Sequence, residues 1–211
     1  MKMADLDYFM AIRPLIRPSE CGDTGFIQEF ENKVFIGIID VLGHGAEAFE
    51  IAKIGTNFLE NSYHQDLIEI MKRLHERLKG SRGAVASFCL LDKRTGVLKH
   101  VGIGDITVRK FGTNTKQMIP RSGVVGYAIP TPKEETMELA DGDVLVLHTD
   151  GVKTHFGLED YPGLFNENAK TIARNIIKKF GKKEDDAGCI VLKYDRTVTK
   201  KRQQTKKNVN F

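Results

Sequence analysis

Cysteine is scarce: Cys21, Cys89 and Cys189 are the only three in a chain of 211 residues. The number is odd and no two are spaced as CxxC, which argues against a disulfide framework or a structural zinc site. Cys89 and Cys189 sit in apolar runs and read as core thiols. Cys21 lies in a polar stretch with no base beside it and reads as incidental. Long apolar runs are missing too; nothing approaches the roughly 20 residues that a membrane span takes. The opening MKMADLDYFM carries acids and no apolar segment, so it does not read as a signal peptide, and a cytoplasmic location with no membrane partner is expected. The chain also lacks a glycine-rich Lys-Ser/Thr phosphate loop, a G-x-S-x-G elbow and a cysteine-based phosphatase loop. Chemistry through a side-chain nucleophile therefore has no motif to rest on. Repeats, low-complexity segments and Pro/Ser-rich linkers are absent, so one domain over 1–198 is expected.

What is present is ordinary for a globular protein: 41% hydrophobic and 28% charged residues, with a net charge of +4. Much of the excess lies in the tail, 199–211, which has five basic residues and no acid. It reads as a solvated, flexible terminus. Without interleaved aromatics it makes a poor nucleic-acid surface.

Strands are expected at 33–39, 83–91, 97–102, 106–111, 144–149 and 187–194, from short β-branched apolar runs. DKRTG joins the second and third as a hairpin. Apolar residues at helical spacing predict helices over 45–59, over Leu67 to Leu78, and over Ala169 to Phe180, the last two stopped by Gly80 and Gly181. Residues 113–133, punctuated by proline and glycine, read as a surface excursion. Hairpin-linked strands with helices grouped along the chain indicate an α+β fold.

Several apolar runs meet an aspartate. Asp40 follows VFIGII, Asp150 follows VLVLHT, Asp185 and Asp186 precede CIVL, and Asp23 stands in CGD. Any one alone is most simply a turn former or helix cap, and Asp141 and Asp143 in ADGD are read that way. Glycines flank three of the four clusters, as CGD, GHG and TDG, and let backbone turn sharply or approach a ligand. If the strand ends converge, the carboxylates repel one another, and a hard divalent cation with oxygen ligands, Mg²⁺ or Mn²⁺, relieves the repulsion. Two such ions can activate a shared water for in-line attack on phosphorus.

DVLGHG (40–45), GDVLVLHTDGV (142–152) and DDAGCIVL (185–192) in that order resemble the PPM-type metal-dependent serine/threonine protein phosphatases, and more closely their bacterial SpoIIE-like branch. The likeness runs from about Gly22 to Tyr194, and the short chain is similar to a stand-alone phosphatase of the stressosome pathway. The resemblance implies an αββα sandwich and a phosphoserine/phosphothreonine phosphatase using two Mn²⁺ or Mg²⁺ ions and an activated water. It implies that Asp40 bridges the metals, that the Val41 carbonyl ligates one, and that Asp150 and Asp185 complete it. Asp23 would serve the other, directly or through water. Asp186 falls where many relatives carry Asn, which favours Asp185 as the ligand. Asp105, in GIGD, matches a third-metal position in some relatives but is read here as a turn residue. His44 could act as a general acid. Two extra residues separate it from Asp40 compared with the relatives that use one, so it is read as shaping the loop and starting the helix. The other histidines, including His155, have no ligand-like spacing. Neither Arg13 nor Arg17 aligns with the phosphate-gripping arginine of larger relatives. The substrates implied are phosphorylated STAS-domain proteins of a stressosome. The other reading is a catalytically silent phosphatase-like module that binds phosphorylated signalling partners.

Overall fold

The computed structural model describes residues 3–154, 156, 161 and 163–196; the basic tail at 199–211 and His155 lie outside the described residues. One sheet has the order β2-β3-β4-β5-β8: β2 (Asp23–Phe30), β3 (Lys33–Val41), β4 (Ala84–Asp92), β5 (Val97–Ile103) and β8 (Glu135–Glu138). The other has the order β1-β10-β9-β6-β7: β1 (Asp5–Arg13), β10 (Ala187–Asp195), β9 (Val144–His148), β6 (Thr107–Phe111) and β7 (Lys116–Met118). Every pairing is antiparallel. Helices α1 (Ala46–Glu60) and α2 (Leu67–Arg77) pack on the first sheet and α3 (Ala169–Phe180) on the second.

The four layers follow from period-two alternation. Along β3, Val34, Ile36 and Ile38 enter the core between the sheets, whereas Phe35, Ile39 and Val41 face α1 and α2. Along β10, Ile190, Leu192 and Tyr194 point between the sheets, and Ala187, Cys189 and Val191 meet α3. Strands covered on both faces need apolar residues at both parities, which is why β3, β9 and β10 are nearly continuous apolar runs. Each fully buried Ile, Leu or Val adds about 1.5–3 kcal/mol. The helix stripes behave alike: Leu67, Ile70, Met71 and Leu74 of α2 are buried, and the Asp66 carboxylate accepts from Ile68 and Glu69 N–H to cap its first turn.

The αββα sandwich and the three expected helices are present. β1, β2, β7 and β8 fall outside the expected strands. All four are sheet-edge strands, and β1 and β2 are of mixed polarity, with burial that is mostly partial. Asp23 opens β2. The ADGD turn also divides. Asp141 is exposed, and its Oδ1 accepts from Arg196 N–H at 2.5 Å. Asp143 is buried, pairs with Lys110 Nζ at 3.0 Å and accepts from Ala140 N–H at 2.8 Å. Asp143 is a buried ion-pair partner as well as a turn residue. Asp141→Asn keeps an acceptor for Arg196, so stability should stay within about 0.5 kcal/mol and turnover should be unchanged. A large loss of activity in that variant would make Asp141 part of the chemistry.

Candidate active site

The parity that builds the inter-sheet core also places the carboxylates. Asp40 continues the Val34–Ile36–Ile38 face of β3 to its end, and Asp23 is its direct cross-strand neighbour on β2. Opposite partners in an antiparallel pair have Cβ atoms about 4.5–5.5 Å apart. In the other sheet, β9 and β10 pair in a register that sets His148 beside Cys189. Asp150, just past β9, therefore lies near Asp185 and Asp186, just before β10. The sequence-expected residues Asp40, Val41, Asp150 and Asp185 line one cleft of about 400 Å³, together with Asp105 and Asp186. Asp23 is buried behind them.

Burial first, then the neighbouring charges of Asp23, Asp150, Asp185 and Asp105, hold the Asp40 carboxyl well above the usual carboxylate range. Asp23 is raised by burial and by Asp186, Asp185 and Asp150, against a lowering hydrogen bond from Thr149. Asp150 is raised by burial and by Asp185. This is a cluster that a cation would relieve.

The two acids of the DD pair do different things. Asp186 is spent on backbone: Leu15 N–H donates to its Oδ1 at 2.6 Å and Gly22 N–H to its Oδ2 at 2.8 Å. Asp185 is bonded locally, accepting from Asp186 N–H at 2.9 Å, and faces Asp150. Arg13, at the end of β1, donates through Nη2 to the carbonyls of Asp185 and Lys182, so it grips the loop that carries Asp185. Arg17 is exposed and pairs with Glu20.

The GHG glycines have a backbone reason. Gly43 and Gly45 have φ of +81° and +97°, a region that disfavours side chains. Gly45 caps α1 without a side-chain acceptor. His44 is exposed, does not line the cleft, and accepts from Arg82 Nη1 through its carbonyl. Asp105 sits exposed in the turn between β5 and β6, at the rim of the cleft. The expected surface excursion supplies a wall: Ser122, Gly123 and Val124 line the cleft. It is held there by two-way backbone bonds between Ala84 and Val125, and by Arg121 bonding to Gly102 and Gly104.

Cys21 is not an exposed thiol. It is buried, and burial, then Asp186 and Asp23, push its pKa up to about 12, which leaves no thiolate nucleophile. His148 and His100 are core histidines with pKa values lowered to about 4 by burial. Thr149 and the wall at 122–124 were missed from the sequence. The parity Leu145, Leu147, Thr149 could have flagged Thr149; nothing local marks the wall.

The donor set fits a hard divalent ion. Among the described residues, carboxylates line the cleft with no thiol or imidazole beside them, and such ligands suit Mg²⁺ or Mn²⁺. Among the described residues, no three acidic, imidazole or thiol side chains form a ready-made ligand shell. This is compatible with an ion that keeps several waters. A larger groove of about 720 Å³ between α1 and α2 has Ile54 and Phe58 in its lining and lacks such a carboxylate cluster.

Comparison with known proteins agrees with this geometry. A structure reported under "The bacterial stressosome: a modular system that has been adapted to control secondary messenger signaling" is 27% identical, with a TM-score of 0.82 over 89% of this chain and 99% of the other. RsbX in complex with magnesium is 18% identical, with a TM-score of 0.78 over 92% and 100%. The PP2C phosphatase domain of SpoIIE from Bacillus subtilis, with a fragment of its regulatory domain, is 18% identical, with a TM-score of 0.76 over 94% and 66%. No curated protein matches the chain. The family described as stage II sporulation protein E (SpoIIE) matches residues 31–195. With that match covering β3 to β10, the chain belongs to the SpoIIE family and carries its PP2C-type phosphatase fold.

Proposed function

We propose that the protein is a divalent-cation-dependent phosphoserine/phosphothreonine protein phosphatase. The observation that carries this reading is the convergence of Asp40, Asp105, Asp150 and Asp185 from separate chain segments on one cleft, in a chain of a phosphatase family. Asp40 would bridge two Mn²⁺ or Mg²⁺ ions. The Val41 carbonyl, Asp150 and Asp185 would hold one, and Asp23 would serve the other. When bound, such ions supply Lewis-acid stabilisation of the phosphoryl oxygens and lower the pKa of a coordinated water.

The chain's own residues do the rest. Asp186 and Arg13 hold the loop that carries Asp185. The wall at 122–124 narrows access from one side. Among the described residues lining the cleft there is no lysine or arginine, so the negative charge of a phosphate would be met by the bound cations. The substrates would be phosphorylated STAS-domain proteins of a stressosome, in the cytoplasm. The similarity to a structure reported for the bacterial stressosome and to RsbX supports this. Among the described residues no helix is long and apolar enough to cross a membrane.

The contrast within the DD pair tests the assignment. Asp185→Asn should weaken Mn²⁺ binding and turnover by about 100-fold or more with little change in the metal-free melt. Asp186→Asn should cost about 1–3 kcal/mol of stability, because an amide cannot accept from both Leu15 and Gly22, yet keep metal-dependent turnover. Calorimetric Mn²⁺ titration beside thermal melts separates the two, and the reverse pattern would make Asp186 the ligand.

A further inference from the structure

Thr149 ends the inter-sheet face of its strand. Leu145 and Leu147 of β9 enter the core between the sheets, and Thr149 follows at the same parity, fully buried. Its hydroxyl accepts from Gly188 N–H at 2.9 Å, within its own sheet. Its single proton then goes to Asp23 Oδ2 at 2.7 Å, in the other sheet. The backbone leaves Thr149 little freedom: its N–H donates to the Gly188 carbonyl at 3.0 Å, and its own carbonyl accepts from His148 Nδ1 at 2.9 Å. Gly188 keeps the space open, since a Cβ there would lie 3.2 Å from Asp23 Oδ2 and 3.3 Å from the Thr149 methyl. Among the described residues Thr149 gives the Asp23 carboxylate its one hydrogen bond, and it takes Oδ2. Oδ1 takes no bond from Thr149, and Asp40 is the cross-strand neighbour of Asp23.

We infer that Thr149 is a positioning residue: its hydroxyl latches the two sheets together through Asp23, selects the oxygen that Asp23 presents beside Asp40, and so sets the cleft's affinity for divalent cations. The inference rests on the metal-centre reading above and assigns this chain's own threonine a part in it. A carboxylate held by an outer hydrogen bond presents a fixed ligand geometry, and losing such a bond commonly costs about 10–100-fold in metal affinity. A merely packed threonine would tolerate valine, which has the same shape and the same stiff β-branch.

The test is a calorimetric Mn²⁺ titration of the full chain at neutral pH, comparing wild type, Thr149→Val and Thr149→Ser, each with a circular-dichroism melt. Thr149→Val should bind Mn²⁺ about 10–100-fold more weakly while still melting cooperatively. Thr149→Ser, which keeps the hydroxyl, should restore binding close to wild type. Should the valine variant fail to fold, Thr149→Ala takes its place with the same expected weakening. Valine or alanine binding as tightly as wild type would overturn the inference, and so would a serine variant as weak as valine. Lack of Mn²⁺ uptake by wild type would overturn the metal centre and this inference together, whereas undiminished uptake by Thr149→Val overturns the latch alone.

Discussion

Asp40→Asn should reduce metal-dependent phosphate release by at least about a thousandfold, or ~4 kcal/mol at 1.36 kcal/mol per decade, while raising the stability of the metal-free fold. The two signs have one cause. Asp40 faces Asp23 across the strand pair and shares its cleft with Asp150 and Asp185. Its charge is thus an asset only when a cation is present. Without metal, burial and those neighbours hold its carboxyl above the usual range. The folded protein then keeps protons that the unfolded chain releases above about pH 4. Where the folded state binds more protons, stability falls as pH rises. Melts in EDTA should therefore show wild-type stability declining from about pH 4 upward, levelling once the raised folded-state values are passed. The asparagine variant should decline less, and saturating Mn²⁺ should lift and flatten the wild-type curve by binding only the folded state. A variant less stable than wild type in EDTA would mean that Asp40 is held by favourable contacts rather than strained by like charge.

Gly151→Ala should destabilise the fold by about 3 kcal/mol or more, at the upper end for overpacking, and should lower Mn²⁺ affinity with it. A Cβ at Gly151 would stand 1.6 Å from the carbonyl oxygen of Asp186, which is backbone and cannot rotate away. Gly151 also accepts from Lys182 N–H at 2.7 Å. Relief of the clash must push the end of β9 from the start of β10, which separates Asp150 from Asp185. Gly163→Ala is the control: an added Cβ meets nothing within 4 Å and the backbone is not left-handed, so the change should be neutral or stabilising by about 0.4–1 kcal/mol. A denaturant titration of both variants checks the contrast. Gly151→Ala within about 0.5 kcal/mol of wild type would show that the strand ends stand farther apart than described.

The inner strands were legible in the sequence because a strand covered on both faces must be apolar at both parities; KVFIGII and VLVLHT could hardly be anything else. β1 and β2 were not legible because edge strands carry polar residues on their half-exposed faces. With β2 went the fact that Asp23 and Asp40 are direct partners. Asp143 shows another limit. Its local motif is that of a turn, and its burial depends on Lys110, far away in sequence. Ser122, Gly123 and Val124 enter the cleft through bonds from their neighbours to Ala84, Gly102 and Gly104, which no local pattern encodes. The acids at the ends of β3, β9 and β10 could be found singly; their meeting depends on how the two sheets pack.

The most direct measurement is hydrolysis of a small aryl phosphate by the purified protein, in EDTA, with Mg²⁺ and with Mn²⁺, beside Asp40→Asn. A metal-dependent phosphatase built on this cleft releases phosphate only when a divalent ion is supplied, and the variant releases essentially none. Release undiminished in EDTA, metal-dependent release retained by Asp40→Asn, or no release by folded wild type with either ion would contradict it.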